Sequence, residues 1–351
     1  MRIASIVGAR PQFIKAAPLD RELRKTHEHL LIHTGQHYDY LMSAVFFEDL
    51  GIPEPDHNLG VGSGSHGRQT GEMLIAIEET LIQEKPDCVL VYGDTNSTLA
   101  GALAAAKLHL PLAHVEAGLR SFNRRMPEET NRVLTDHMAD LLFCPTRTAA
   151  HNLAREGINS GVFDVGDVMY DALLGSIDVV DRRSHLIEAL DLQPDSYLLA
   201  TIHRPANTDD LQNLSTILEA FNDVEEQVVF PAHPRTSEAI ARSGRQLSSR
   251  VKLLEPVSYL DMLALERNAR LILTDSGGVQ KEAYFFGTPC VTLREETEWV
   301  ETVAAGWNLL VGSDKAKILR AVREFRPQGQ RAQVFGDGTA SRKIVHHLES
   351  T

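Results

Sequence analysis

Cys88-Val89-Leu90-Val91-Tyr92-Gly93-Asp94-Thr95-Asn96-Ser97, followed by Thr98-Leu99-Ala100-Gly101-Ala102-Leu103-Ala104-Ala105-Ala106-Lys107, is the stretch whose reading decides the fold. An unbroken apolar run, β-branched at its centre, reads as a strand buried on both faces. Gly, Asp, Thr, Asn and Ser then supply turn formers and helix starters. The alanine-rich segment behind them is strong helix former, with a helix expected over Ser97–His109. Strand, polar turn and helix, repeated, make a parallel sheet covered by helices.

Outward from this unit the pattern recurs. Ile3–Val7, Leu30–His33, Leu112–Val115 and Leu141–Cys144 read as further strands, and Gln69–Gln83 reads as an amphipathic helix. In the second half, Tyr197–Ile202, Gln227–Phe230, Leu271–Thr274 and Pro289–Leu293 read as strands, with helices at Leu211–Val224, Tyr259–Glu266 and Val279–Phe286. The expected fold is α/β, with two Rossmann-like domains facing each other across a cleft. An N-terminal domain is expected over 1–166 and a second domain over 167–335. The last segment, 336–351, should carry a helix near Ser341–Leu348 that folds back on the first domain.

Composition narrows the function classes. The chain has 351 residues, 43% hydrophobic and 24% charged, which suits two packed domains rather than disorder. A net charge of -13 argues against nucleic acid as a partner. Three cysteines, Cys88, Cys144 and Cys290, are too far apart for a zinc site and read as buried thiols. The N-terminal residues enter a strand directly and no apolar run is long enough for a membrane span, so a cytoplasmic protein is expected. The 15 histidines are scattered without HExxH or paired-cysteine spacing. His33, His37, His66, His109, His137, His151 and His347 need no ligand role, and no metal is expected.

Ligands in open parallel sheets bind beyond the carboxyl ends of the strands. There the sequence places Gly8-Ala9-Arg10-Pro11-Gln12 with Lys15, Thr34-Gly35-Gln36-His37, Gly93–Ser97 and Glu116-Ala117-Gly118-Leu119-Arg120. The second half adds His203-Arg204-Pro205, Pro231-Ala232-His233-Pro234-Arg235 and Asp275-Ser276-Gly277-Gly278. Any one of these is an ordinary loop; together, along one edge of each sheet, they indicate a shared active cleft. Ser276-Gly277-Gly278 opens a helix, whose bare N–H groups and dipole suit a phosphate. Glu282, about one turn further along, can accept from a ribose diol, against the plain alternative of surface charge. Arg10 and Lys15 are candidates for the diphosphate. Asp94 and Glu116 are carboxylates beyond buried strands; Asp94 has the alternative of capping the next helix, whereas Glu116 has no such structural excuse. Glu128 follows Pro127 in helix-start composition and says nothing by itself.

The motifs GARPQ, TGQHYD, VYGDTNSTLAG, HVEAGLRS, MPEETNR, TIHRP, LTDSGGVQKEA and TEWVETV occur in order from Arg2 to about Gly312. In these the chain resembles the non-hydrolysing UDP-N-acetylglucosamine 2-epimerases, which have the glycosyltransferase-B fold. The resemblance implies catalytic roles for Asp94, Glu116, Glu128 and His203. It implies substrate contacts from Arg10, Lys15, Arg132, His233, Ser276, Gly277, Gly278 and Glu282, with Met262 near the uracil. Gln36, His37 and Arg68 match positions where many bacterial members bind a second, activating UDP-sugar. No cofactor is implied, and a homodimer is expected. Ala206 stands where the family's HRxEN pattern has glutamate, and HYDY, FFEDLGIPEPD and TEWVE are closer to a subgroup that includes epimerases of 2,3-diacetamido sugars.

The implied reaction inverts C2 of a UDP-linked 2-acetamido sugar. C2 is not beside a carbonyl, so its proton becomes labile only as UDP leaves C1, giving 2-acetamidoglucal. Protonation on the other face and return of UDP yield the epimer. That path needs acid and base on opposite faces and cationic or dipolar support for the diphosphate. Rival readings are a glycosyltransferase of the same fold and a UDP-sugar sensor without turnover.

Overall fold

The computed structural model describes residues 1–36 and 53–350; the expectation for His37 lies outside the described residues. Contacts divide the chain into two units, Met1–Gly175 with Gln333–Thr351, and Ser176–Ala332. The first boundary therefore falls at 175/176 rather than 166/167. That division lies within a single helix, Val168–Arg183, which begins just after 166/167.

The first unit is a seven-stranded sheet in the order β3-β2-β1-β4-β5-β6-β7. Its strands are β1 Arg2–Val7, β2 Glu28–His33, β3 His57–Asn58, β4 Cys88–Tyr92, β5 Leu112–Val115, β6 Leu141–Cys144 and β7 Val162–Asp164. Every pairing is parallel. All of β4 is buried, as its uninterrupted apolar sequence requires. Ala4 and Ile6 of β1 and Val89 and Val91 of β4 pack with Met73 and Ile77 of helix His66–Glu84 and with the alanines of helix Asn96–Lys107. Small residues let that second helix lie close on the sheet: a Cβ on Gly101 would come within 3.1 Å of Ile6 and Val91. Helix Ala340–Glu349 returns to this unit and packs on helix Arg10–Leu23. Its first turn is held by Asp171, whose carboxylate accepts from the Ala340 and Ser341 N–H groups and the Ser341 hydroxyl.

The second unit repeats the plan with six strands in the order β10-β9-β8-β11-β12-β13. They are β8 Tyr197–Thr201, β9 Gln227–Pro231, β10 Val251–Leu254, β11 Leu271–Thr274, β12 Cys290–Thr292 and β13 Asn308–Leu310, again all parallel. Leu198, Ala200, Val228, Phe230, Leu271 and Leu273 face one helical layer, while Tyr197, Leu199, Val229 and Ile272 face the other. All three cysteines are buried in strands. Among the described residues, no helix is long and apolar enough to cross a membrane.

In both sheets the chain winds outward in one direction, then returns to the first strand and winds out the other way. The reversal lies between β1 and β4 in one unit and between β8 and β11 in the other. Loops at such a reversal splay apart and leave room for a ligand beyond the strand ends.

Candidate active site

At the reversal of the first unit, the loops after β1 and β4 are locked together by Gln12. Its side-chain oxygen accepts from the Gly8 and Ala9 N–H groups at 2.8 and 3.0 Å, and its amide donates to the Tyr92 carbonyl at 2.9 Å. Gly8 has no alternative here, since a Cβ would lie 2.1 Å from both the Thr34 and Ser97 hydroxyls. Gly93 turns the chain at φ 61°, and a Cβ there would sit 2.9 Å from Lys15 Nζ and 3.2 Å from Glu116 Oε2.

That narrow space is occupied by an ion pair between Lys15 and Glu116, which are only 7% and 6% exposed. Lys15 is therefore no solvated surface charge. Glu116 has φ 71°, a left-handed conformation that strains a non-glycine residue by about 1–3 kcal/mol. The strain is held in place by its surroundings. Glu116 and Ala117 both donate their N–H groups to the Phe143 carbonyl, and Asp136 accepts from Gly118 N–H and Arg120 just beyond. Burial pushes the Asp136 carboxyl up, but His114 and Arg120 overcome this and hold it below its usual value.

Asp94 is not the cap of the following helix. Thr95 takes that place, accepting from Thr98 N–H, which leaves the Asp94 carboxylate to pair with Arg132 at 2.8 Å. Asn131 holds the Asp94 carbonyl at 2.9 Å. Both residues come from helix Pro127–Met138, so the PEETNR segment and the GDTN turn form one assembly. On that helix Glu129, not Glu128, faces inward, accepting from Ser121, Phe122 and Arg132. Glu128 stands half-buried in the first turn, and Arg10 is half-buried at the start of its own helix.

Gln36 accepts from the Ser97 N–H and hydroxyl, bracing the head of helix Asn96–Lys107. Arg68 is exposed and paired with Glu72 one turn along.

The second reversal is organised by Asp275, which is fully buried at the end of β11. Its carboxylate accepts from the His203 N–H at 3.0 Å, the Arg204 N–H at 3.1 Å and the Asn207 amide at 2.9 Å. The HRP loop after β8 is thereby tied to the SGG turn. His203 Nδ1 lies 3.5 Å from the same carboxylate. Although half its side chain reaches solvent, surrounding protein desolvates the imidazole and lowers its pKa; Asp275 opposes this, and Arg204, His233 and Arg294 reinforce it. A neutral imidazole at neutral pH can accept a proton. Arg204 Nε is buried without a hydrogen-bond partner among the described residues, which suits an anion.

Ser276 caps helix Gly277–Phe286. Behind Gly277 lie Trp299 and Glu298, with a Cβ there 3.3 Å from the indole nitrogen. Glu298 is paired with Arg294, and Lys281 stacks over Trp299 at 4.1 Å. Glu282 is 6% exposed, so it is not surface charge. His233 caps helix Pro234–Ser243 through its ring nitrogen, and Met262 packs on the core formed by Tyr197 and Leu199. Ala206 leaves its place in the HRPAN segment exposed, its carbonyl accepting from Asn213. The sequence reading did not single out Asp275 or Asn207 as site residues.

The described geometry sits within wider similarity. Residues 21–349 match the family model described as UDP-N-acetylglucosamine 2-epimerase. A Methanococcus maripaludis protein named UDP-N-acetylglucosamine 2-epimerase homolog is 56% identical, with all of both chains covered. A Pseudomonas aeruginosa protein named UDP-2,3-diacetamido-2,3-dideoxy-D-glucuronate 2-epimerase is 50% identical, with 99% of each covered. The crystal structure of Methanocaldococcus jannaschii UDP-GlcNAc 2-epimerase in complex with UDP-GlcNAc and UDP superposes with a TM-score of 0.92 at 44% identity, covering 100% of both chains.

Proposed function

Since the chain belongs to the UDP-N-acetylglucosamine 2-epimerase family, we propose that it is an isomerase that converts UDP-N-acetylglucosamine to UDP-N-acetylmannosamine. The observation that carries the reading is the buried, strained Glu116 held against Lys15 beyond β5, in a chain matched to that family over nearly its whole length. A carboxylate in such a place is retained for chemistry rather than for stability.

In this reading a base removes the C2 proton as the C1–oxygen bond to UDP breaks, and the electron pair forms the C1–C2 double bond of 2-acetamidoglucal. An acid then protonates the opposite face of C2, and the UDP oxygen returns to C1. Asp94, Glu116, Glu128 and His203 are the groups for proton transfer. Ser276, Gly277 and Gly278 are assigned to the diphosphate with Arg10 and Lys15, Glu282 to the ribose, and Arg132, His233 and Met262 to the rest of the substrate. Helix N–H groups and cations would stabilise the departing diphosphate. Gln36, His37 and Arg68 are assigned to a second, activating UDP-sugar, and the working form is a homodimer, which sedimentation would test.

A UDP-2,3-diacetamido sugar is the second substrate reading, favoured by the 50%-identical Pseudomonas relative. Incubating the pure protein in heavy water with each UDP-sugar alone, without acceptor, tests both. The expected product carries deuterium at C2, with traces of free UDP and glycal. Protium retained at C2 together with a requirement for NAD would overturn the mechanism; turnover of one sugar alone decides the substrate.

A further inference from the structure

Helix Tyr259–Asn268 in the second unit packs against helix Gly277–Phe286 and brings a second carboxyl group to Glu282. Glu266 is wholly buried, and neither of its carboxyl oxygens meets an N–H or O–H donor among the described residues. The neighbouring carboxyl is that of Glu282, on the helix packed alongside; burial first, then this neighbour, raises the Glu266 pKa well above the usual carboxylate range. Two carboxylates have no donor between them, and burying both charged is very costly. One proton turns that contact into a hydrogen bond.

The remaining groups around Glu266 do not replace that proton. Tyr197 of β8 is kept neutral by burial, and its hydroxyl is spent on the Leu265 carbonyl at 2.6 Å. Cys290 of β12 is pushed up to about 12 by burial, so it is a thiol. Thr288 donates to the Glu266 backbone carbonyl, fixing the helix end without touching the carboxyl. Lys281, the buried cation on the Glu282 helix, stacks over Trp299, and it is not among the influences on Glu266.

We propose that Glu266 is a positioning residue: its carboxylic acid O–H donates to the Glu282 carboxylate and aims that carboxylate at the ribose diol of the bound nucleotide. This rests on the assignment of Glu282 to the ribose. A neutral acid supplies a fixed donor without adding charge, whereas a lysine or arginine there would compete with the ribose hydroxyls for the same oxygens.

The test uses infrared spectroscopy and calorimetric titration with UDP on the full chain. The wild-type protein should show, at neutral pH, a protonated-carboxyl carbonyl band that is missing from Glu266→Gln. The glutamine side chain would supply an amide donor, so Glu266→Gln should bind UDP as the wild type does, while Glu266→Leu, lacking any donor, should bind about tenfold more weakly. The neutral form lies below the raised pKa. At whatever alkaline pH the band disappears, wild-type affinity should therefore fall relative to Glu266→Gln, with UDP's own titrations common to both. A band absent from the wild type at neutral pH overturns the proposal, as does a Glu266→Leu protein that binds like the wild type. Should Glu266→Leu not fold, the band and the alkaline comparison with Glu266→Gln still decide. Glu282→Ala is the separate control: unchanged UDP affinity there sinks the ribose assignment itself, whatever the band shows.

Discussion

The two sheet reversals have the same topology and opposite electrostatic construction. Around β1 and β4 the working groups are charged side chains, paired as Lys15 with Glu116 and Arg132 with Asp94, and one of them sits on strained backbone. Around β8 and β11 a single buried carboxylate, Asp275, gathers backbone N–H groups. The surface there offers helix N–H groups, glycines and an arginine nitrogen with no partner among the described residues. The first arrangement suits chiefly proton transfer; the second, His203 apart, suits chiefly the holding of an anion. The difference separates turnover from affinity, and each substitution below should move one more than the other.

The largest effect is expected at Glu116. Glu116→Gln keeps the shape and removes a carboxylate we assign to proton transfer, so kcat should fall by at least about 10²-fold. UDP affinity, which we assign chiefly to the other unit, should stay within about twofold. Because the variant also leaves Lys15 buried without its counter-charge, it should unfold more easily, by roughly the 3–5 kcal/mol typical of a broken buried pair. Rates must therefore be normalised to folded protein. A variant with lowered UDP affinity and intact kcat would reverse the division of labour between the two regions.

A smaller effect, in the other parameter, is expected at Gly277. A methyl group there would press on the Trp299 indole and screen the N–H groups at the helix start. Gly277→Ala should weaken UDP binding about tenfold, or ~1.4 kcal/mol, within the ~2 kcal/mol that a favourable anion–dipole contact can reach. The kcat at saturating substrate should change much less. Titration calorimetry beside steady-state kinetics checks this, and unchanged UDP affinity would remove the diphosphate from the SGG turn.

The sequence makes these two regions unequally legible. Strands β1, β4, β8 and β11 flank the reversals, are buried on both faces and read as continuous apolar runs, so the loops behind them could be located from sequence. The edge strands β3, β7, β10 and β13 are partly exposed, two to four residues long, and each carries a polar or charged residue, so none reads as a continuous apolar run. The side chains of the first region announced themselves as carboxylates in costly places. Whether Asp94 capped a helix depended on Thr95, and only the folded backbone decides between adjacent caps. Asp275 was named only as part of its loop and given no role of its own, since a carboxylate before a helix is ordinary helix-start chemistry. Glu266 did leave a trace: Tyr259, Leu263 and Glu266 recur at i, i+4 and i+7, placing a carboxyl on the core face of its helix.

The smallest effect, and the one that sharpens the comparison within a single unit, concerns Gln36 and Arg68. Both belong by resemblance to the activator positions, yet their surroundings differ. Gln36 accepts from the Ser97 N–H and hydroxyl, within the same turn that carries Asp94, so its loss should disturb the catalytic loop and lower the maximal rate. Arg68 is three-quarters exposed and paired with Glu72 on its own helix, an arrangement that contributes little to stability in water and releases the guanidinium readily to an anionic ligand. Arg68→Ala should therefore leave the Tm and the maximal rate within error of the parent and change only the shape of the rate curve. A sigmoidal dependence on the UDP-sugar should become hyperbolic or shift to higher concentration, while Gln36→Ala loses rate at every concentration. Initial-rate measurements over a wide range of substrate separate the two. Hyperbolic kinetics in the parent protein would remove the activator reading, and equal loss of maximal rate in both variants would show that Arg68 serves the turn that carries Asp94 as Gln36 does.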